Sequence, residues 1–193
     1  MSPHRRIMLF GGSFNPIHCG HIALARQVLR ENLADQVWLM VSPQNPLKPQ
    51  GGLLDEQLRY ELACKAVQGE RGIVVSDFEF TLPRPSYTWN TLCALGRIWP
   101  DHEFSLLIGA DNWANFDRWA HTERILSHHH IYVYPRPGFP LAAPLPPGVS
   151  SIDAPLLPYS STEVRQRIHS GLDITHWVPD SILQDVIVHY RHN

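Results

Sequence analysis

Gly11-Gly12-Ser13-Phe14-Asn15-Pro16-Ile17-His18-Cys19-Gly20-His21 is the stretch on which the reading of the fold turns. The apolar run before it, Ile7–Phe10, is short and continuous, as a buried strand is. The segment that follows, His21–Glu31, carries Ile22, Ala25, Val28 and Leu29 at helical spacing, with Arg26, Gln27 and Arg30 at the other positions. Strand, glycine turn and amphipathic helix in that order make the first half of a βαβ unit. Glycines let the backbone approach a ligand closely, and the free N–H groups and dipole of a helix start favour a phosphate. His18 and His21, three residues apart, then face one pocket, where imidazoles donate hydrogen bonds to phosphate oxygens and stabilise growing negative charge. The alternative is a glycine turn with two ordinary histidines at a helix start.

Working outward, further strand-like runs lie at Val37–Val41, Ile73–Val75, Phe104–Ile108 and Ile131–Tyr134, and Gln57–Val67 has helical character. This alternation predicts a doubly wound α/β fold, a mainly parallel sheet flanked by helices, with ligands beyond the carboxyl ends of the strands. Pro43, Pro46 and Pro49 keep the segment after the second strand out of helix, and eight prolines from Pro135 to Pro158 predict a second, longer loop. The roughly 35 residues that remain are too few for an independent core. They read as two closing helices, Thr162–Ser170 and Pro179–His189, so residues 1–193 form one domain, with 161–193 as its C-terminal helices.

The composition agrees with a single small-molecule site. A chain of 193 residues, 44% of them hydrophobic, buries a proper core. With 16 basic residues against 18 acidic ones it has no electrostatic footprint for nucleic acid and no basic membrane face. The apolar run after Met1–Arg6 is too brief for a signal segment or a membrane span. Cys19, Cys64 and Cys93 are scattered without paired spacing, which fits a reducing compartment. The expected location is the cytoplasm.

A second chemical signal sits far downstream, in Ser160-Ser161-Thr162-Glu163-Val164-Arg165. Ser160 or Ser161 serves as an N-cap, with Glu163 as ordinary first-turn support, but capping leaves Arg165 unexplained. Hydroxyls and N–H groups at a helix start with an arginine one turn on make a second anion cradle. Two cradles on different strands suggest a triphosphate. Zinc is the competing use of His18, Cys19, His21 and the run His128-His129-His130, but no second cysteine pair follows and the spacing matches no usual ligand set. No protein-held metal is expected.

The GGSFNPIHCGH and SSTEVR runs resemble the two signature motifs of the nucleotidyltransferase α/β phosphodiesterase superfamily. Between them, Arg84-Pro85-Ser86-Tyr87-Thr88-Trp89-Asn90-Thr91-Leu92, Gly109-Ala110-Asp111-Asn112-Trp113 and Phe116-Asp117-Arg118-Trp119 resemble the bacterial nicotinate-nucleotide adenylyltransferases, so the resemblance spans nearly the whole chain. It implies a Rossmann-like fold and adenylyl transfer from ATP to nicotinate mononucleotide. The mononucleotide phosphate would attack the α-phosphorus, with magnesium carried mainly by ATP. It assigns Gly11, Gly12, Ser13, Phe14, Asn15, Gly109, Asp111, Ser161 and Thr162 to ATP, and His18, His21 and Arg165 to catalysis. Trp119 would stack on the pyridine ring beside Tyr87 and Thr88, with Lys48 and Arg136 as further contacts to the mononucleotide. Lys48 and Arg136 also read as solvated loop cations, and Trp119 as a core tryptophan. Many members carry an acidic residue where Asn15 stands, so no carboxylate contact to metal or sugar is assumed here. Tyr87-Thr88-Trp89 begins a helix whose N–H groups favour a carboxylate, which predicts a preference for the acid over the amide nucleotide. The competing readings are another adenylyltransferase, acting on pantetheine phosphate or the amide nucleotide, and a nucleotide-binding module without turnover.

Overall fold

The computed structural model describes residues 4–43, 52–155 and 159–191. Among the described residues, six parallel strands form one sheet: β1 (Arg6–Gly12), β2 (Gln36–Val41), β3 (Ile73–Ser76), β4 (Glu103–Gly109), β5 (Ile131–Tyr134) and β6 (Val149–Ser151). Their order is β3-β2-β1-β4-β5-β6. The chain winds outward from β1 to one edge, then returns to β4 and winds to the other, so the strand order reverses between β1 and β4. A crevice opens there at the carboxyl ends of the strands.

The helices are α1 (Cys19–Arg30), α2 (Glu56–Ala66), α3 (Thr88–Ile98), the short α4 (Ala110–Trp113), α5 (Thr122–His128), α6 (Ser161–His169) and α7 (Leu183–Tyr190). Both faces of the sheet are covered. Because side chains alternate along a strand, Met8 and Phe10 of β1 join the core under α1, α2, α6 and α7, while Ile7 and Leu9 join the core on the α3 and α5 side. All four are buried, as central strands of a parallel sheet are.

Two details depart from the sequence reading. The proline-rich stretch holds a sixth strand: Val149–Ser151 pairs with β5 in the register Ile131↔Val149. Its three residues, flanked by Pro147 and Pro155, are too short for any periodicity to show. The last helix starts later than Pro179, since Asp180–Ile182 first forms a 3-10 turn. Among the described residues, no helix is long and apolar enough to cross a membrane.

Candidate active site

β1 ends at Gly12, and the loop that follows turns back over the sheet before α1 begins. Phe14 holds that turn with φ +43°, in the left-handed region that a bulky side chain rarely adopts. Its ring is buried and lies so close to Gly12 that a Cβ there would meet it at 3.2 Å. Glycine at 12 is therefore fixed by the packing of Phe14.

His18 is the N-cap residue of α1 and is 3% exposed, and its ring stacks on that of His21 at 3.6 Å between centroids. The His18 backbone N–H donates to His21 Nδ1 at 3.2 Å. A neutral His21 must then carry its proton on Nε2, which turns a donor away from the backbone. Burial, and next the charge of Arg136, push His18 down from 6.5 to about 3, so its imidazole is neutral near pH 7. His18 Nδ1 is buried with no hydrogen-bond partner.

The second motif closes on the first. Ser160 is the N-cap of α6, accepting from the Glu163 N–H at 3.0 Å, which decides between the two serines. Ser161 Oγ donates to the Pro16 carbonyl at 2.9 Å, and Arg165 Nη1 donates to the Asn15 carbonyl at 2.6 Å. Thr162 Oγ1 lies 3.4 Å from Arg165 Nη2 at the exposed end of the same helix. Residues some 150 positions apart thus share one loop.

Asn15 faces into the fold. It is 3% exposed; its Oδ1 accepts from Tyr190 Oη at 2.7 Å and from the Leu54 N–H at 3.2 Å, and its Nδ2 donates to the Gly52 carbonyl at 2.8 Å. The amide joins the first motif to the segment before α2 and to the last helix. With its side chain spent on those three partners and its own carbonyl on Arg165, Asn15 is a structural hub, a role that the sequence-based assignment to ATP did not anticipate.

Two depressions flank the loop and share Phe10 and Tyr134 as a wall. The first is lined by Gly11, Gly12 and Ser13, by Tyr87 and Thr88 at the start of α3, by Gly109, and by Trp119. The start of α3 at Thr88 carries no side-chain cap, and Tyr87 and Thr88 both line the pocket. Trp119 is half-buried, its ring 5.2 Å from that of Phe116, so it belongs both to the core and to the pocket wall. The second depression is lined by His18, His21, Arg26, Arg30, Arg136 and Tyr159.

Arg136 stands beside the histidines in the second depression and packs against Gly109 of the first. It pairs with Asp111 at 3.5 Å and donates to Tyr134 Oη at 3.1 Å. Gly109 makes room for this pair, because a Cβ there would meet Asp111 Oδ1 at 2.3 Å. Lys48 lies outside the described residues. His128, His129 and His130 are engaged with Arg124 O, Phe104 O and Ser150 Oγ respectively. Among the described residues, no group of three or more His, Cys, Asp or Glu side chains is placed to hold a metal ion.

Sequence reasoning missed the half-buried Glu79 of the first pocket, whose carboxyl accepts from Thr91 Oγ1 at 2.8 Å and is raised by burial. It also missed Arg118 and Asn112 there, and Tyr159 in the second pocket. Arg118 stood inside a quoted motif, whereas nothing marked Glu79 among the acidic residues.

A strand–loop–helix with two histidines thus meets a serine-capped helix bearing an arginine at the switch point of a parallel sheet. The cytidylyltransferase-like family matches residues 9–167. This chain belongs to that family. A Bacteroides fragilis protein named probable nicotinate-nucleotide adenylyltransferase is 47% identical over 180 residues, covering 93% of this chain and 90% of its own. A Porphyromonas gingivalis protein of the same name is 44% identical over 181 residues, covering 93% and 92%. The fold also matches the Plasmodium falciparum nicotinic acid mononucleotide adenylyltransferase complexed with NaAD. That match has a TM-score of 0.80 at 19% identity and covers 97% of this chain and 96% of the other.

Proposed function

We propose that this chain transfers the adenylyl group of ATP to nicotinate mononucleotide, giving nicotinate adenine dinucleotide and pyrophosphate, a step in NAD biosynthesis. The observation that carries this reading is the pair of depressions that share the Phe10 and Tyr134 wall, the first lined by Gly11–Ser13 and the second by His18 and His21. The first offers a flat indole and an uncapped helix start, which suit a pyridine ring bearing a carboxylate. The second offers histidines and arginines, which suit a triphosphate. In this reading the mononucleotide takes the first depression and ATP the second, and the names of the relatives agree with these substrates.

The mononucleotide phosphate is already anionic near neutral pH, so it attacks the α-phosphorus without a general base. The enzyme supplies position and charge stabilisation. His21 donates from Nε2 to the phosphates, and neutral His18 beside it orders the same face. Arg165 holds the loop through the Asn15 carbonyl and, in this reading, offers its charge to the departing pyrophosphate. Magnesium would be carried mainly by ATP and water and would neutralise phosphate charge. Free cysteines at 19, 64 and 93 fit work in the reducing cytoplasm.

The test follows pyrophosphate release with ATP and magnesium and, in turn, nicotinate mononucleotide, nicotinamide mononucleotide and pantetheine phosphate. The acid nucleotide should give the highest kcat/KM. Two charge-assisted hydrogen bonds in place of neutral ones, each better by roughly 1–2 kcal/mol, give a preference on the order of tenfold to a thousandfold over the amide. Trp119→Ala should weaken both pyridine substrates alike. Equal values for acid and amide would refute the acid assignment, and turnover with pantetheine phosphate alone would refute the reading itself.

A further inference from the structure

Arg59, on the first turns of α2, is 1% exposed, and among the described residues no carboxylate pairs with it. Its donors go to main-chain carbonyls on three segments. Nε reaches Leu54 at 2.9 Å, Nη1 reaches Ser13 and also Ser42 at 2.9 Å, and Nη2 reaches Pro43 at 3.2 Å. Ser13 and Ser42 both line the first pocket, and the Ser42 N–H is tied to the Gly12 carbonyl at 2.9 Å. A buried guanidinium stays protonated and needs acceptors for its whole fork, so it fixes the carbonyls it uses.

In a planar trans peptide the carbonyl and the following N–H point in opposite directions. With the Ser13 carbonyl drawn to Arg59, the Phe14 N–H is turned to the far side of the loop. Phe14 is also the residue with φ +43°, a conformation worth roughly 1–3 kcal/mol of strain that persists only where surroundings impose it. Arg59 supplies that imposition from below, and Arg165, on the Asn15 carbonyl, supplies it one residue further on. Successive N–H groups turned the same way in such a bend form an anion-binding concavity.

We propose that Arg59 is a positioning residue of the transfer reaction, holding the Ser13–Phe14 peptide so that the Phe14 N–H faces the phosphates. The inference rests on the adenylyl-transfer reading above. Arg59 touches no substrate and acts through the loop.

Two variants and one spectrum test it. Arg59→Lys keeps the charge and removes the fork; Arg59→Gln removes both. In variants that remain folded by circular dichroism, kcat should fall on the order of a hundredfold for both, the scale of losing one well-aimed donor. Wild-type kcat and KM in a folded Arg59→Gln, whatever its loss in Tm, would overturn the proposal. Full rescue by lysine would assign the effect to charge and overturn it as well. The wild-type protein gives an independent reading. In an amide ¹⁵N spectrum, saturating inorganic pyrophosphate with magnesium should shift the Phe14 resonance, and an unmoved Phe14 amide overturns the proposal even if both variants fail to fold. That spectrum needs no turnover, so failure of the adenylyl-transfer reading in the wild-type assay stays distinct from failure of the positioning role.

Discussion

Lowering the pH should destabilise this protein through His18 well before its carboxylates are protonated. The imidazole is pushed from 6.5 to about 3, by burial first and by Arg136 second. In that window the unfolded chain binds a proton that the native chain refuses, so stability is full above pH 6.5 and is lost as the pH falls. The slope for one such group is about 1.4 kcal/mol per pH unit. Between pH 6.5 and 5 His18 alone should therefore cost about 2 kcal/mol, a large share of a marginal total. His129, lowered by burial, adds in the same sense, while Glu79, raised by burial, opposes it. Subtracting a variant isolates the histidine. The assay is urea denaturation of the wild type and His18→Gln at pH 7, 6 and 5. The wild type should lose about 2 kcal/mol relative to the variant across the series. Parallel stability curves would show that His18 titrates normally in the fold and would refute the reasoning.

Two further outcomes follow from the same geometry. His21→Ala removes the Nε2 donor and the rim of the stacked pair, and should cut kcat by on the order of a hundredfold in the pyrophosphate assay while the fold stays intact; near-normal turnover would remove His21 from the reaction. Asn15→Asp keeps the acceptor for Tyr190 and Leu54 but loses the donor to Gly52, so urea denaturation should show a loss of about 1–3 kcal/mol with magnesium dependence unchanged; a shifted magnesium requirement would mean that the side chain reaches the substrate.

The glycine-rich run and the amphipathic helix after it were legible because strand, turn and helix starts are local. So was the serine-capped helix bearing Arg165. These residues carried the fold class and the chemistry before any contact was known. β6 was not legible, since three residues become a strand only because β5 offers them a partner. Asn15 read as a ligand contact, yet only the tertiary structure brings Tyr190, 175 positions away, onto its Oδ1 and turns the side chain inward. Arg136 read equally as a phosphate contact or a solvated loop cation; the end of β5 sets it beside His18 and Asp111. In sequence Arg59 looks like any helical arginine, and its meaning comes from the carbonyls of Ser13, Ser42 and Pro43 converging on it. Local spacing determined which elements form and which residue types carry the chemistry. Only the folded chain decided which polar groups line the two depressions and which are consumed in holding the loop, because burial and hydrogen-bond partners arise from residues far apart in sequence.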